Sequence, residues 1–483
     1  MERLSKAVLA DLPADVSRPS YVDDDIRIGI VHFGVGNFHR AHQAMYLDRL
    51  LQTGVADDWG ICGVGLLERD ARMRDALSEQ DGLYTLTLRH PDGTDEIGVI
   101  GSVRRFLHAP DDPGAVLAQL IDPGVRIVSL TITEGGYVED PIAGKRAMDD
   151  PLVEEETVGA LSNPRTAFGW IVAALRERQR RGIPPFTVLS CDNVPGNGAV
   201  ARHSVEAVAR LVDADLADWI AAHVAFPSTM VDRITPVTVD ADIERVRERL
   251  GVHDAWPVAA EPFEQWIIED DFPTGRPDWT AAGATVVADA HPYEAIKIRL
   301  LNGGHQAIAY VGQLAGHVYV HDALNDPRLA AFVREYLERD AAPTLAVPEG
   351  FDLPGYIDEL FRRFTNPAVA DTLARLSTDA SSRVPKFIVP TLADRIFAHA
   401  TPRAGARLIA SWREYTRQAG LERFRLDDDS ANTLLTAASG DARDFLTAVP
   451  TLASLSASAD FTDAYIAAAR TLETDGIDAL LGG

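Results

Sequence analysis

Lysine is scarce in this chain of 483 residues. Basic residues total 46, yet only four are lysines: Lys6, Lys145, Lys297 and Lys386. A coding bias toward arginine accounts for the general pattern, so a lysine kept inside an apolar segment stands out. Arginine holds its charge everywhere, whereas a buried lysine can lose its proton near neutral pH. Cysteine is scarcer still. The two present, Cys62 and Cys191, cannot build a disulfide framework, which points to a reducing cytoplasmic compartment. No run of about 18 apolar residues exists to span a bilayer. The opening stretch MERLSKAVLADLPADV lacks the apolar segment of a signal peptide. Positive charge is short as well. A formal net charge of −26 argues against nucleic acid and anionic membranes as partners. No repeat of fixed period and no low-complexity tract is present.

What remains is an ordinary globular composition, 46% hydrophobic and 24% charged, at a length that implies two domains. Residues 26–34, IRIGIVHFG, are a short apolar run ending in glycine, followed by the helical pattern NFHRAHQAMYLDRLLQTG. WGICGVGLL, GVIGSVRRFL, VRIVSLTIT and FTVLSCDN are further strand-like runs, and helical patterns such as TAFGWIVAALRERQRRG separate some of them. Alternation of this kind predicts an α/β domain built on a doubly wound parallel sheet. After residue 290 the strand-like runs stop. PRLAAFVREYLERD, YIDELFRRF, AVADTLARL, ARLIASWREYTRQAG and FTDAYIAAARTLE carry apolar residues at helical spacing. The expected organisation is an α/β domain over 1–285 and a mostly α-helical domain over 286–483.

Three motifs carry chemistry. In GVGNFHR, Gly34 and Gly36 sit between the first strand and a helix, where glycines let the backbone turn tightly against a pyrophosphate. The third glycine of the usual G-x-G-x-x-G is replaced by His39. The second strand ends at Glu68-Arg69-Asp70, where an acid accepts hydrogen bonds from a ribose 2′-hydroxyl and repels a 2′-phosphate. That favours NAD over NADP. The third motif is KIRLLNGGH, within a long apolar helical pattern. At about 100° per residue, Asn302 lies about 140° from Lys297 and His305 about 80°, so all three can share one side of a helix. Gly303 and Gly304 each destabilise a helix by about 1 kcal/mol relative to alanine, so either they cap a helix end or a ligand or neighbouring backbone approaches closely there. A desolvated lysine serves as general base, an asparagine donates to a developing oxyanion, and a histidine holds substrate or lysine. Tyr293 and Lys297 also fit a Y-x-x-x-K pattern, but Pro292 places the tyrosine in the first turn, in a structural role. Neither cysteine has a partner at ligand spacing and H-E-x-x-H is absent, so no metal is expected.

On these residues the chain resembles the polyol-specific long-chain dehydrogenases, the mannitol-oxidising members above all. HFGVGNFHRAHQAMYLDRLL, SCDNVPGNG, MVDRITP, FEQWIIEDDFPTGRP and KIRLLNGGH occur in the family's order over most of the sequence. The resemblance implies a Rossmann-like domain plus a helical domain, a monomer, and metal-independent exchange between polyol and ketose, D-mannitol and D-fructose, with a nicotinamide cofactor. It extends the cofactor turn to Phe33, Val35, Asn37 and Phe38. It makes Lys297 the base, sets Asn302 and Asn193 on the alkoxide-like oxygen, and has Asp232 and His305 orient substrate and lysine. It adds Arg383 and Lys386 on the substrate side and Glu134 near the nicotinamide. Gly135 stands where the family commonly has lysine. A sugar-acid reductase, such as a fructuronate reductase, is the rival within this class. An NAD-binding sensor without turnover is the rival outside it.

Overall fold

A computed structural model describes residues 2–22, 25–137 and 151–482. The chain divides into two compact units, Met1–His291 and Pro292–Gly483. The division falls after His291 rather than near 285 because residues 285–287 are a strand. Ile267 pairs with Thr285 and Glu269 with Val287, which ties that segment to the sheets of the first unit.

Among the described residues the first unit holds eleven strands: β1 (Ile28–Phe33), β2 (Gly60–Gly65), β3 (Tyr84–Arg89), β4 (Asp95–Ile100), β5 (Val103–His108), β6 (Ile127–Leu130), β7 (Thr187–Ser190), β8 (Thr229–Asp232), β9 (Val258–Ala260), β10 (Gln265–Glu269) and β11 (Thr285–Val287). Five of them form a parallel sheet in the order β5-β2-β1-β6-β7. Alternate side chains leave its two faces, and both faces are covered. Val31, Phe33, Val128, Leu130 and Val188 enter one core with the helices Ala167–Arg181 and Asn197–Val212. Ile30, Ile61, Ile127 and Leu189 enter the other with the helix Gln43–Leu51. Burial on both faces explains why these strands read as continuous apolar runs. Two three-stranded sheets, β11-β10-β8 and β4-β3-β9, complete the unit.

The run GVIGSVRRFL is two strands, not one. It breaks at Gly101-Ser102, where the Gly101 amide donates to Asp48 Oδ1 at 2.9 Å and the Ser102 hydroxyl donates to the Ala44 carbonyl at 2.6 Å. The chain crosses there from β4, antiparallel to β3, to β5, parallel to β2.

The second unit is helical, with no strand among its described residues. Its helices include Pro327–Glu335, Leu353–Phe364, Arg403–Ala419 and Ala459–Thr474. AVADTLARL is helical only over Leu373–Leu376. Ala370 adopts a φ of 50°, and the Thr372 side chain accepts from the Arg375 amide, so the helix starts late. Among the described residues no helix is long and apolar enough to cross a membrane.

Candidate active site

Because the five strands run the same way, their C-terminal ends share one edge. Strand order reverses between β1 and β6, and ligands of open α/β sheets bind beyond the strand ends at such a switch point. Gly34–Phe38 follow β1, Glu68 and Asp70 follow β2, Glu134 follows β6 and Asn193 follows β7. The sheet therefore gathers these candidates along one edge. Asp232 ends β8 and is buried. Asn197 joins that strand to the β7 end, its Nδ2 donating to the carbonyls of Asp192 at 3.1 Å and Thr229 at 2.8 Å.

The turn after β1 needs its first glycine. Gly34 has a φ of 90°, and a Cβ there would lie 2.1 Å from the Thr131 carbonyl oxygen. Thr131 fastens the turn: its hydroxyl donates to the Gly34 carbonyl at 2.7 Å and accepts from His32 Nε2 at 2.9 Å. This fixes the tautomer of His32, whose Nδ1 accepts from the Ser129 hydroxyl at 2.8 Å. Burial lowers the His32 imidazole to about 3, so the ring is neutral. His39, in the place of the third glycine, is stacked on it with ring centroids 3.5 Å apart. An imidazole pair thus fills the helix–strand contact that glycine usually keeps close.

The candidates at this edge differ in what they offer. The first amides of the helix Asn37–Ala41 have no acceptor within it, and such a terminus favours a pyrophosphate. The Asn37 side chain is engaged elsewhere, with Nδ2 donating to the Pro236 carbonyl and the Thr238 hydroxyl. Phe33 is fully buried in the core, so its side chain is not presented at the edge. Asp70 Oδ2 accepts from the Leu66 and Leu67 amides, both at 2.9 Å, whereas Glu68 is exposed. A glycine turn, helix amides with no acceptor in their own helix and an exposed acid after β2 together fit a dinucleotide whose ribose keeps its 2′-hydroxyl.

Sequence reasoning missed Asp192 and Tyr137. Asp192 is 8 % exposed. Its Oδ1 accepts from the Thr133 amide at 2.8 Å, and its Oδ2 accepts from the Ile132 amide at 3.1 Å and the Tyr137 hydroxyl at 2.7 Å. Burial raises its carboxyl above the usual range against these three bonds, and the Glu134 charge adds to the rise. Thr133 sits at φ 67° and ψ 165°, a region nearly confined to glycine that is unfavourable by about 1–3 kcal/mol. The one available signal was an acid ending an apolar strand beside Asn193.

In the second unit, KIRLLN is a π-helical turn, Lys297–Asn302, between the helices His291–Ile296 and Gly303–Leu314. The uniform 100° spacing therefore does not hold across it. π-turns occur often at functional sites. Lys297 is 8 % exposed. Asn302 is half-buried, and its side-chain amide makes no hydrogen bond among the described residues. The His305 ring lies against Phe364, centroids 4.7 Å apart. Arg299 anchors the turn by its ion pair with Asp394 at 2.6 Å and its bond to the Thr344 carbonyl.

A neighbouring backbone and side chain explain Gly303. An added Cβ would lie 3.1 Å from the Tyr336 hydroxyl oxygen and 3.4 Å from the Phe387 carbonyl oxygen. Tyr336 opens a second π-turn, Tyr336–Ala341, packed on the first. Phe387 ends the helix Ala380–Phe387, which carries Arg383 and Lys386. Arg383 Nη1 donates to the carbonyls of Leu376 at 3.2 Å and Arg375 at 3.3 Å. The Lys386 ammonium lies 5.8 Å from the Phe387 ring centroid. Tyr293 packs edge-on against Phe351. Among the described residues no group of His, Cys, Asp and Glu is arranged to hold a metal ion.

Residues 28–281 match the family model of the mannitol dehydrogenase Rossmann domain, and residues 289–465 match that of the mannitol dehydrogenase C-terminal domain. A mannitol 2-dehydrogenase of Pyricularia oryzae is 41% identical over 438 residues, 88% of this chain and 87% of that protein. One from Aspergillus clavatus is 45% identical over 391 residues, 80% and 78% of the two chains. Among solved structures, Pseudomonas fluorescens mannitol 2-dehydrogenase in ternary complex with NAD and D-mannitol is 42% identical. It covers 99% of both chains with a TM-score of 0.86. A substrate-free D-sorbitol dehydrogenase is 36% identical, with a TM-score of 0.92 over 99% of this chain and 100% of that one.

Proposed function

The chain belongs to the mannitol dehydrogenase family, and from that premise we propose that it is an NAD-dependent polyol dehydrogenase interconverting D-mannitol and D-fructose in carbohydrate metabolism. One observation carries the catalytic reading. A lysine kept in an arginine-rich chain is buried on a π-turn, and at the end of the same turn stands an asparagine whose side-chain amide makes no hydrogen bond among the described residues. Burial disfavours an ammonium, and a neutral amine can accept a proton.

Lys297 takes the hydroxyl proton as the carbon–hydrogen bond breaks, and no metal is needed for that work. When bound, the nicotinamide accepts the hydride. Asn302 and Asn193 donate to the charge that develops on oxygen; losing one such donor raises the barrier by about 3–4 kcal/mol. Asp232 and His305 orient the substrate. Glu68 pairs with the ribose hydroxyls. Lys386 lies on the substrate side. A sugar-acid carboxylate would want Arg383 or Lys386 as its partner, and of these Arg383 already engages Nη1 on two carbonyls. The protein is further inferred to act as a monomer in the reducing cytoplasm, where buried free cysteines such as Cys62 and Cys191 persist as thiols.

Initial rates with mannitol, arabinitol and sorbitol, and with fructuronate in the reducing direction, each with both cofactors, test the assignment. Mannitol with NAD is expected to give the highest kcat/KM. Preference for fructuronate would replace the polyol by a sugar acid. Lys297→Ala is expected to lower turnover by roughly 10²–10⁴-fold with NADH affinity kept. Wild-type turnover in that variant would remove Lys297 as base.

A further inference from the structure

The loops after β6 and β7 are adjacent at the sheet edge, on the side of the switch point away from β2. If the β1 turn holds the pyrophosphate and the β2 end holds the adenosine ribose, the nicotinamide half faces these two loops. One side chain joins them. Asp192, on the β7 loop, reaches the β6 loop through the Ile132 and Thr133 amides and the Tyr137 hydroxyl. The Tyr137 hydroxyl also bonds Ser190 Oγ at 2.6 Å, back at the end of β7.

The chemistry calls for an acid here. Three donors converge on two oxygens, and an ionised carboxylate is acceptor-only. An asparagine would turn an amide N–H toward at least one of those donors. No cation pairs with Asp192 among the described residues, so its burial is offset by these bonds alone. What they hold is unusual: Thr133, a β-branched residue, stands at a φ of 67°, immediately before Glu134. With the Asp192 side chain turned toward the β6 loop, the next residue, Asn193, is exposed.

We propose that Asp192 is a positioning residue for the nicotinamide half of the site, holding Thr133 in its left-handed backbone and thereby setting Glu134 and Asn193 together. This rests on the reading of the first unit as the NAD-binding unit. Asp192 itself need not touch substrate or cofactor. Its removal should disturb the chemical step and leave adenosine recognition at the β2 end in place.

The experiment compares full-length wild type, Asp192→Asn, and Asp192→Asn with Thr133→Gly. ADP-ribose, which lacks nicotinamide, is titrated by calorimetry, NADH by its nicotinamide fluorescence, and polyol turnover gives kcat and KM. Asp192→Asn should lower kcat by about 10²-fold, the scale of a small misplacement, with ADP-ribose affinity kept and the NADH fluorescence signal reduced. Thr133→Gly should restore kcat about tenfold in that background, because glycine takes a positive φ without strain. A residue that only stabilises the core would lower every parameter together, and glycine would not rescue it. Wild-type kcat in Asp192→Asn, a parallel loss of ADP-ribose binding, or absence of rescue would each overturn the proposal. Should Asp192→Asn fail to fold, Tyr137→Phe removes one donor and should show the same pattern at smaller amplitude. Wild-type protein that oxidises no polyol would defeat the substrate assignment, while the ADP-ribose and NADH titrations would still decide the role of Asp192.

Discussion

The two units present their candidate residues in different ways. In the first, they stand on loops beyond strand ends, and backbone geometry places them: a glycine at φ 90° and a threonine at φ 67°. In the second, Lys297, Asn302 and His305 stand within one helical segment, where the π-turn sets which side each faces, and Arg383 and Lys386 stand on the helix Ala380–Phe387. A glycine in the first unit is therefore fixed by its dihedrals. A glycine in the second is fixed by what packs against it. The difference can be tested by substitution.

Gly34→Ala should have the largest effect. Its Cβ would meet the Thr131 carbonyl, and its φ disfavours any side chain, so a stability loss of about 3 kcal/mol or more is expected in urea unfolding, with NADH binding lost. An alanine that folds and binds normally would end the claim that the backbone sets this edge. The imidazole stack comes next. His32 and His39 are neutral in the fold, both lowered chiefly by burial. Unfolded imidazoles take up protons below about 6.5, so folded stability falls as pH falls from about 6.5 to 5, by about 2 kcal/mol for His32. His39→Phe should lose less stability than wild type over that interval, measured by unfolding at both values. Asp48 in the first unit and Asp340 in the second act in the opposite sense. Burial raises both to about 6, so each favours the fold as pH falls through that value, and the wild-type-minus-variant difference isolates the histidine.

Glu68→Lys should shift cofactor preference toward NADP by roughly tenfold, read as the ratio of kcat/KM values. An unchanged ratio would mean that the exposed acid does not meet the ribose. Gly303→Ala should have the smallest effect. Its φ of −61° is ordinary for a helix, and the gain of about 1 kcal/mol from alanine offsets the tight contact with Tyr336. Adding Tyr336→Phe should turn the net change favourable. A Gly303→Ala variant as damaged as Gly34→Ala would erase the contrast between the units.

This contrast also explains what was legible in the sequence. The parallel sheet, the turn at Gly34 and the acid at Glu68 could be read because apolar runs and glycines mark strand ends locally. The break at Gly101-Ser102 could not, since it depends on Asp48 and Ala44, which are distant in sequence. Nor could the Asp192 anchor, because hydrogen bonds between neighbouring loops leave no periodic trace. Lys297, Asn302 and His305 were identifiable as residue types in an unusual place. Their angular relation was not, because a π-turn has the same apolar character as an α-turn. AVADTLARL shows the converse: its helical spacing is real, and a single residue at φ 50° overrides most of it.

The paired π-turns have a genetic consequence. A five-residue hydrogen-bonded step holds one amino acid more than a four-residue one, so each turn is equivalent to a single-codon insertion in a helix. Deleting one codon from 297–302 would restore ordinary winding; because the wide turn already absorbs the extra residue, His305 would keep roughly its facing while the residues inside the turn change theirs relative to Lys297. The same deletion in 336–341 would re-aim the residues inside the second turn, which packs on the first. For this pair of helices, length is as much a part of the inherited structural information as the identity of any residue in them.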